Sequence, residues 1–100
     1  MSLSKTRSSF YRRLYVAHLI RTGVASVAAI IEATGMPRRT AQDTISALAE
    51  LDIHCDFEPE PGKRHNIGCY VIRDWGPISP EWVAAHADRL RQALDYPAMS

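Results

Sequence analysis

Long apolar runs are missing from this chain of 100 residues. Nothing in it approaches the roughly 18 uninterrupted apolar residues that span a bilayer, so no membrane partner is expected. The opening stretch Met1-Ser2-Leu3-Ser4-Lys5-Thr6-Arg7 lacks the apolar segment of a signal peptide. Cysteine is scarce: Cys55 and Cys69 alone cannot form the disulfide framework of a small secreted domain. The expected address is therefore the cytoplasm, with both thiols reduced.

Catalytic and metal-binding signatures are missing too. There is no Ser/His/Asp arrangement, no glycine-rich phosphate loop and no paired-carboxylate pattern, so the chain is not read as an enzyme. His54, Cys55, His65 and Cys69 are the right residue types for zinc, but no Cys-x-x-Cys or His-x3-His spacing joins them. Adjacent residues on a strand, such as His54 and Cys55, also point to opposite faces. No metal and no cofactor is expected. Cys55 and Cys69 would meet across a hairpin if the register allowed it, and a reducing cytoplasm argues against a bridge. His18 and His86 fall on helices and read as packing or surface residues.

What the chain does contain suits one soluble globular domain: 46% hydrophobic residues with 23% charged. A large charge of one sign is lacking, since the net charge is only +1. That near-neutrality conceals a distribution. Residues 1–45 carry Lys5, Arg7, Arg12, Arg13, Arg21, Arg38 and Arg39 against Glu32 and Asp43, a net +5. Residues 46–62 carry Glu50, Asp52, Asp56, Glu58 and Glu60 with no Lys or Arg, a net −5. Residues 63–100 come to +1. Either these are solvated faces, or the N-terminal half presents a basic face of the kind that meets phosphates.

Periodicity predicts four helices and one hairpin. Phe10, Leu14, Ala17 and Ile20 form one stripe of a helix from Ser8 or Ser9 to Thr22. Tyr11, Tyr15 and Leu19 widen the stripe enough for two neighbours, and Gly23 is the stop. A second helix runs from Ser26, a plausible N-cap, to Thr34, with Val27, Ile30 and Ile31 on its apolar face and Gly35 after it. A third starts at Pro37, read as its first helical position, and ends near Leu51, with Ala41, Ile45, Leu48 and Leu51 inward. Residues 53–58 alternate with period 2, residues 59–66 are a turn-rich loop, and residues 67–73 return as a β-branched and aromatic strand. Ser79-Pro80-Glu81 opens a last helix, Val83, Ala87, Leu90 and Leu94 form its stripe, and Pro97 ends it.

The stretch from Ser26 to Leu48, with its Thr34-Gly35-Met36-Pro37 turn followed by Arg38-Arg39-Thr40, resembles the DNA-reading element of bacterial transcription regulators. With the hairpin, residues 8–74 resemble a winged helix-turn-helix domain, and the chain is similar to small stand-alone prokaryotic regulators. The fold class implied is mainly α with a small β-hairpin: a three-helix core plus wing over residues 1–78, and an extra C-terminal helix over 79–100.

The expected partner is double-stranded DNA. A tight turn makes two helices cross steeply, and a major groove about 12 Å wide admits the second. Arg38, Arg39, Thr40, Gln42, Asp43 and Ser46 then face bases and phosphates, with Thr44 a further hydroxyl. Arg suits guanine and Gln suits adenine, each bidentately. Lys63, Arg64 and His65 sit at the wing tip, where the alternative is a loop of solvated charges. Glu58 and Glu60 beside them would repel phosphate. Arg12 and Arg13 would add phosphate contacts.

The last helix needs cover for Trp82, Val83, Ala87, Leu90 and Leu94. It can fold back on the first helix, or pair with its equivalent in a second copy. The homodimer is the expectation, with Tyr96 and Met99 extending the contact. A winged helix used only for protein contact is the alternative function. A small-molecule effector between the reading domain and the last helix is a third idea, for which no residue argues.

Overall fold

The computed structural model describes residues 3–62 and 67–98. Its first helix, α1, spans Lys5–Arg21. Periodicity places the start later, because the apolar stripe begins only at Phe10 and says nothing about the polar first turn. The cap decides it: the Arg7 amide donates to the Ser4 hydroxyl at 3.1 Å. At the other end Gly23, with φ of +104°, allows a paired closure of the helix. The Val24 amide reaches the Leu19 carbonyl at 2.9 Å and the Gly23 amide reaches that of Ile20 at 3.2 Å.

The apolar stripe widens further than the sequence suggests. Leu14, Tyr15, Val16, Ala17, Leu19 and Ile20 are all buried. Such a helix has neighbours on most sides, and the later helices and the second strand all contribute to the cover around it.

Helix α2, Val27–Thr34, is capped by the Ser26 hydroxyl, which accepts from the Ala29 amide at 3.1 Å. Helix α3 spans Arg38–Ser46, and Pro37 is its N-cap rather than its first residue. The proline is extended (ψ 152°), and its carbonyl accepts the first helical bond, from Ala41. After Ser46 the chain tightens into a 3-10 helix, Ala47–Leu51. The expected single helix to Leu51 is thus α-helical for nine residues only. The left-handed Asp52 closes it, and the Ile53 amide bonds back to the Leu48 carbonyl, which brings Leu48 and Ile53 into the core together.

Strands β1 (His54–Pro59) and β2 (Gly68–Asp74) form an antiparallel hairpin. Its register pairs Cys55 with Ile72, Phe57 with Tyr70 and Glu58 with Cys69. The two cysteines are therefore not opposite one another, and with a side-chain period of two they lie on opposite faces. Cys55, Tyr70 and Ile72 are half-buried against the core. The Tyr70 amide also donates to the Ala25 carbonyl at 2.7 Å, tying the hairpin to the connection before α2. After β2, Gly76 has φ of +57°, and a Cβ there would collide with the Asp52 carbonyl oxygen. Two tight turns press backbone to backbone at this point, which only glycine permits.

The last helical segment is two short helices, α4 (Pro80–Ala85) and α5 (Ala87–Ala93), broken at His86. The His86 ring stacks on Trp82 at 4.0 Å, and its Nδ1–H donates to the Trp82 carbonyl at 2.7 Å. The His86 amide also bonds the Trp82 carbonyl at 3.1 Å, so ring and backbone share that acceptor. Both pieces fold back on α1. Val83 (0% exposed) and Leu90 (1%) lie in the same core as Leu14 and Leu19. They are covered by their own chain and unavailable to a second copy. Tyr96 packs on Tyr15, with ring centroids 5.8 Å apart, while Met99 lies outside the described residues. No helix among the described residues is long and apolar enough to cross a membrane.

Leu90→Ala should cost about 2–5 kcal/mol of folding stability, because it opens a cavity in a closed core. The urea midpoint of the variant should not change with protein concentration; a concentration-dependent midpoint would place Leu90 in an interface instead.

His18 offers a second check. Its Nδ1 is buried without a hydrogen-bond partner. Burial, then the nearby Arg21, lowers its pKa below the ordinary 6.5. The folded state thus takes up the proton at lower pH than the unfolded state. Stability from His18 is fully present above about pH 6.5 and is lost as the pH falls through the depressed value. Urea melts between pH 7.5 and 5.5 should show that decline, and His18→Gln should flatten it.

Candidate nucleic-acid interface

The candidate interface is built on the turn between α2 and α3. The Thr34 hydroxyl donates to the Ile30 carbonyl at 2.7 Å and accepts from the Met36 amide at 3.2 Å. Gly35 takes the left-handed conformation, and Met36 is buried beneath the turn. One side chain thus ends α2, stabilises the turn and sets where α3 begins. Pro37 supplies no side-chain cap, so the first amides of α3 remain free, at the end of the helix where anions are favoured.

Ala41, Thr44 and Ile45 anchor α3 in the protein, and the opposite side is exposed. Arg38, Gln42 and Ser46, spaced by four, form one exposed ridge. Arg39 and Asp43 form the next, with Arg39 Nε 3.9 Å from Asp43 Oδ2. Thr40 is half-buried, and its carbonyl takes the Thr44 hydroxyl at 2.6 Å. Thr44 is therefore occupied inside the protein and is removed from the set of outward hydroxyls.

Helix α1 supplies the second wall. Ser9, Arg12 and Arg13 line a cleft of about 240 Å³ with Thr40, Asp43, Thr44 and Ala47. The fold brings Arg12 and Arg13 of α1 beside Thr40 and Asp43 of α3, more than twenty residues away in sequence. Ser9 is a member that periodicity did not flag; it stands one turn before Arg12 and Arg13, the spacing that could have shown it. On the other side of α3, Ser46 and Ile45 share a concavity of about 510 Å³ with Cys55, Tyr70 and His54. Burial pushes the Cys55 thiol pKa up, so it stays a thiol at neutral pH.

The acidic block behaves differently from the sequence expectation. On the outer face of the hairpin Arg73 holds Glu58, and its Nε lies 3.5 Å from Asp56. His54 Nε2 is 3.0 Å from the other oxygen of Asp56. Of the two carboxylates expected to repel phosphate, Glu58 is thus paired across the strands, together with Asp56, while Glu60 takes no part in this network. The signal was present as acids at Asp56 and Glu58 with an arginine on the returning strand, but the register was needed to join them. Lys63, Arg64 and His65 lie outside the described residues. Among the described residues no group of three His, Cys, Asp or Glu side chains is placed to hold a metal.

This arrangement of three helices, an outward α3 and a following hairpin is matched by a family model described as winged helix-turn helix, over residues 5–94. The chain belongs to the winged helix-turn-helix family. Strands β1 and β2 are accordingly those of the wing, and α4 and α5 follow them. The crystal structure of a DUF2131 family protein from Shewanella amazonensis SB2B is similar, with 41% sequence identity and a TM-score of 0.86. The match covers 94% of this winged helix and 96% of that chain. No curated protein matches the chain.

Proposed function

We propose that this winged helix is a sequence-specific binder of double-stranded DNA that regulates transcription in the cytoplasm of a prokaryote. The observation that carries the reading is the outward α3, with Arg38, Arg39 and Gln42 exposed, beside a cleft that Arg12 and Arg13 share with Thr40 and Asp43. In this reading α3 enters the major groove, and Arg38, Arg39 and Gln42 contact base edges. Arg12, Arg13 and the free α3 amides contact the flanking phosphates, which set register without reading sequence. Arg73 neutralises the base of the wing, so the duplex can approach it.

One observation favours the alternative of a protein-contact module. Phe10 and Trp82, 38% and 45% exposed, border an apolar groove with Leu14, Pro77 and Ile78. This groove shares no residue with the cleft beside α3, so it does not compete with DNA for the same surface.

Selection from a random duplex pool at two salt concentrations tests the reading. Complete absence of binding at low salt would leave only the protein-contact role. Arg39→Ala should cost about 1–3 kcal/mol on the selected sequence and relax preference at one position. Equal weakening on all sequences would make Arg39 a phosphate contact. Arg12→Ala and Arg13→Ala should each lower the slope of log affinity against log salt by about 1, with preference unchanged. Arg73→Ala should uncover Asp56 and Glu58 and weaken binding to every sequence. The selected sites also report copy number: half-sites about 34 Å apart mark a dimer, and a lone half-site a monomer.

A further inference from the structure

Asp43 is an acid in the wrong place for stability. It stands in the middle of α3, away from the helix N-terminus, where a carboxylate would be favoured. Its ion-pair partner among the described residues is Arg39, and the Arg39 and Asp43 side chains are 92% and 75% exposed. An exposed pair of this kind contributes little. The order, base before acid along the helix, is also the weaker one. Asp43 nevertheless lines the same cleft as Arg12, Arg13 and Thr40. A carboxylate there repels every phosphate that the arginines attract.

Such a group weakens binding to all duplexes except those that offer it a hydrogen-bond donor. In the major groove the N4 amine of cytosine is the donor that suits a carboxylate. Adenine offers N6, but beside it lies the acceptor N7, which repels the second carboxylate oxygen. We propose that Asp43 determines specificity by reading cytosine, and that its charge rejects sequences lacking cytosine at that place. The inference rests on the DNA-binding reading above. Asp43 lies one turn beyond Arg39, about 6 Å along the axis, or roughly two base-pair steps. A guanine contacted by Arg39 therefore lies one or two pairs from this cytosine.

The test uses the full chain and its variants Asp43→Asn, Asp43→Ala and Arg39→Ala, with a random duplex pool as probe. Both positions are exposed, and unchanged urea midpoints will verify folding. The wild type should select cytosine at one position by roughly 5- to 100-fold over other bases. Asp43→Asn should switch that position to adenine, the base asparagine pairs bidentately. Asp43→Ala should lose the preference and bind the unselected pool about 2- to 10-fold more tightly, as a repelling charge is gone. Arg39→Ala should keep the cytosine. Variants at Asp43 that select the same base as the wild type would overturn the inference while leaving DNA binding intact. So would loss of the cytosine in Arg39→Ala, which would make Asp43 a positioning residue for the arginine. A wild type that binds no duplex would overturn the underlying reading itself.

Discussion

Between Leu14 and Ile20, α1 has almost no solvent-facing side, because α3, α4, α5, the 3-10 helix and β2 all pack on it. A chain of this length cannot build two cores, so every element must bury its apolar side against the same few residues. That constraint explains where the last helices go. It also explains why the two turns at Asp52 and Gly76 press so closely that a Cβ would not fit. The elements after the wing complete the core that α1 begins.

The same constraint aims α3. Ala41, Thr44 and Ile45 face inward on α3, so Arg38, Arg39, Gln42 and Ser46 must face out. The Thr34 hydroxyl and the left-handed Gly35 hold the angle at which α3 leaves α2. Because α1 packs against α3, Arg12 and Arg13 emerge beside Thr40 and Asp43. The hairpin confines its acids to its outer face, where Arg73 neutralises two of them. The chain is nearly neutral as a whole and strongly sorted in space.

Much of this was legible in advance. The resemblance identified the winged helix, and caps such as Ser26 and stops such as Gly23 and Gly35 marked helix ends through chemistry local to a few residues. The exposed face of α3 followed from a period of 3.6. Less legible were features that depend on competition between local and distant groups. The break at His86 lies where its backbone leaves the helical region (φ −110°, ψ 10°), which no apolar stripe reveals. The fate of Val83 and Leu90 was open for a different reason. A stripe says that a helix needs cover and is silent on whether its own chain or another provides it. The non-facing cysteines and the pairing of Arg73 with Asp56 and Glu58 both hang on strand register, which the long loop between the strands left undetermined.

Sequence by itself thus determined the order of the helical segments and the hairpin, and the residues that α3 displays. These follow from short-range rules of capping, periodicity and turn conformation. Tertiary structure decided which distant residues meet: Arg12 and Arg13 with α3, Arg73 with the acids of β1, and Val83 and Leu90 with α1. Those meetings depend on how one small core closes around one helix. Closure is a property of the whole chain, written in no single segment of it.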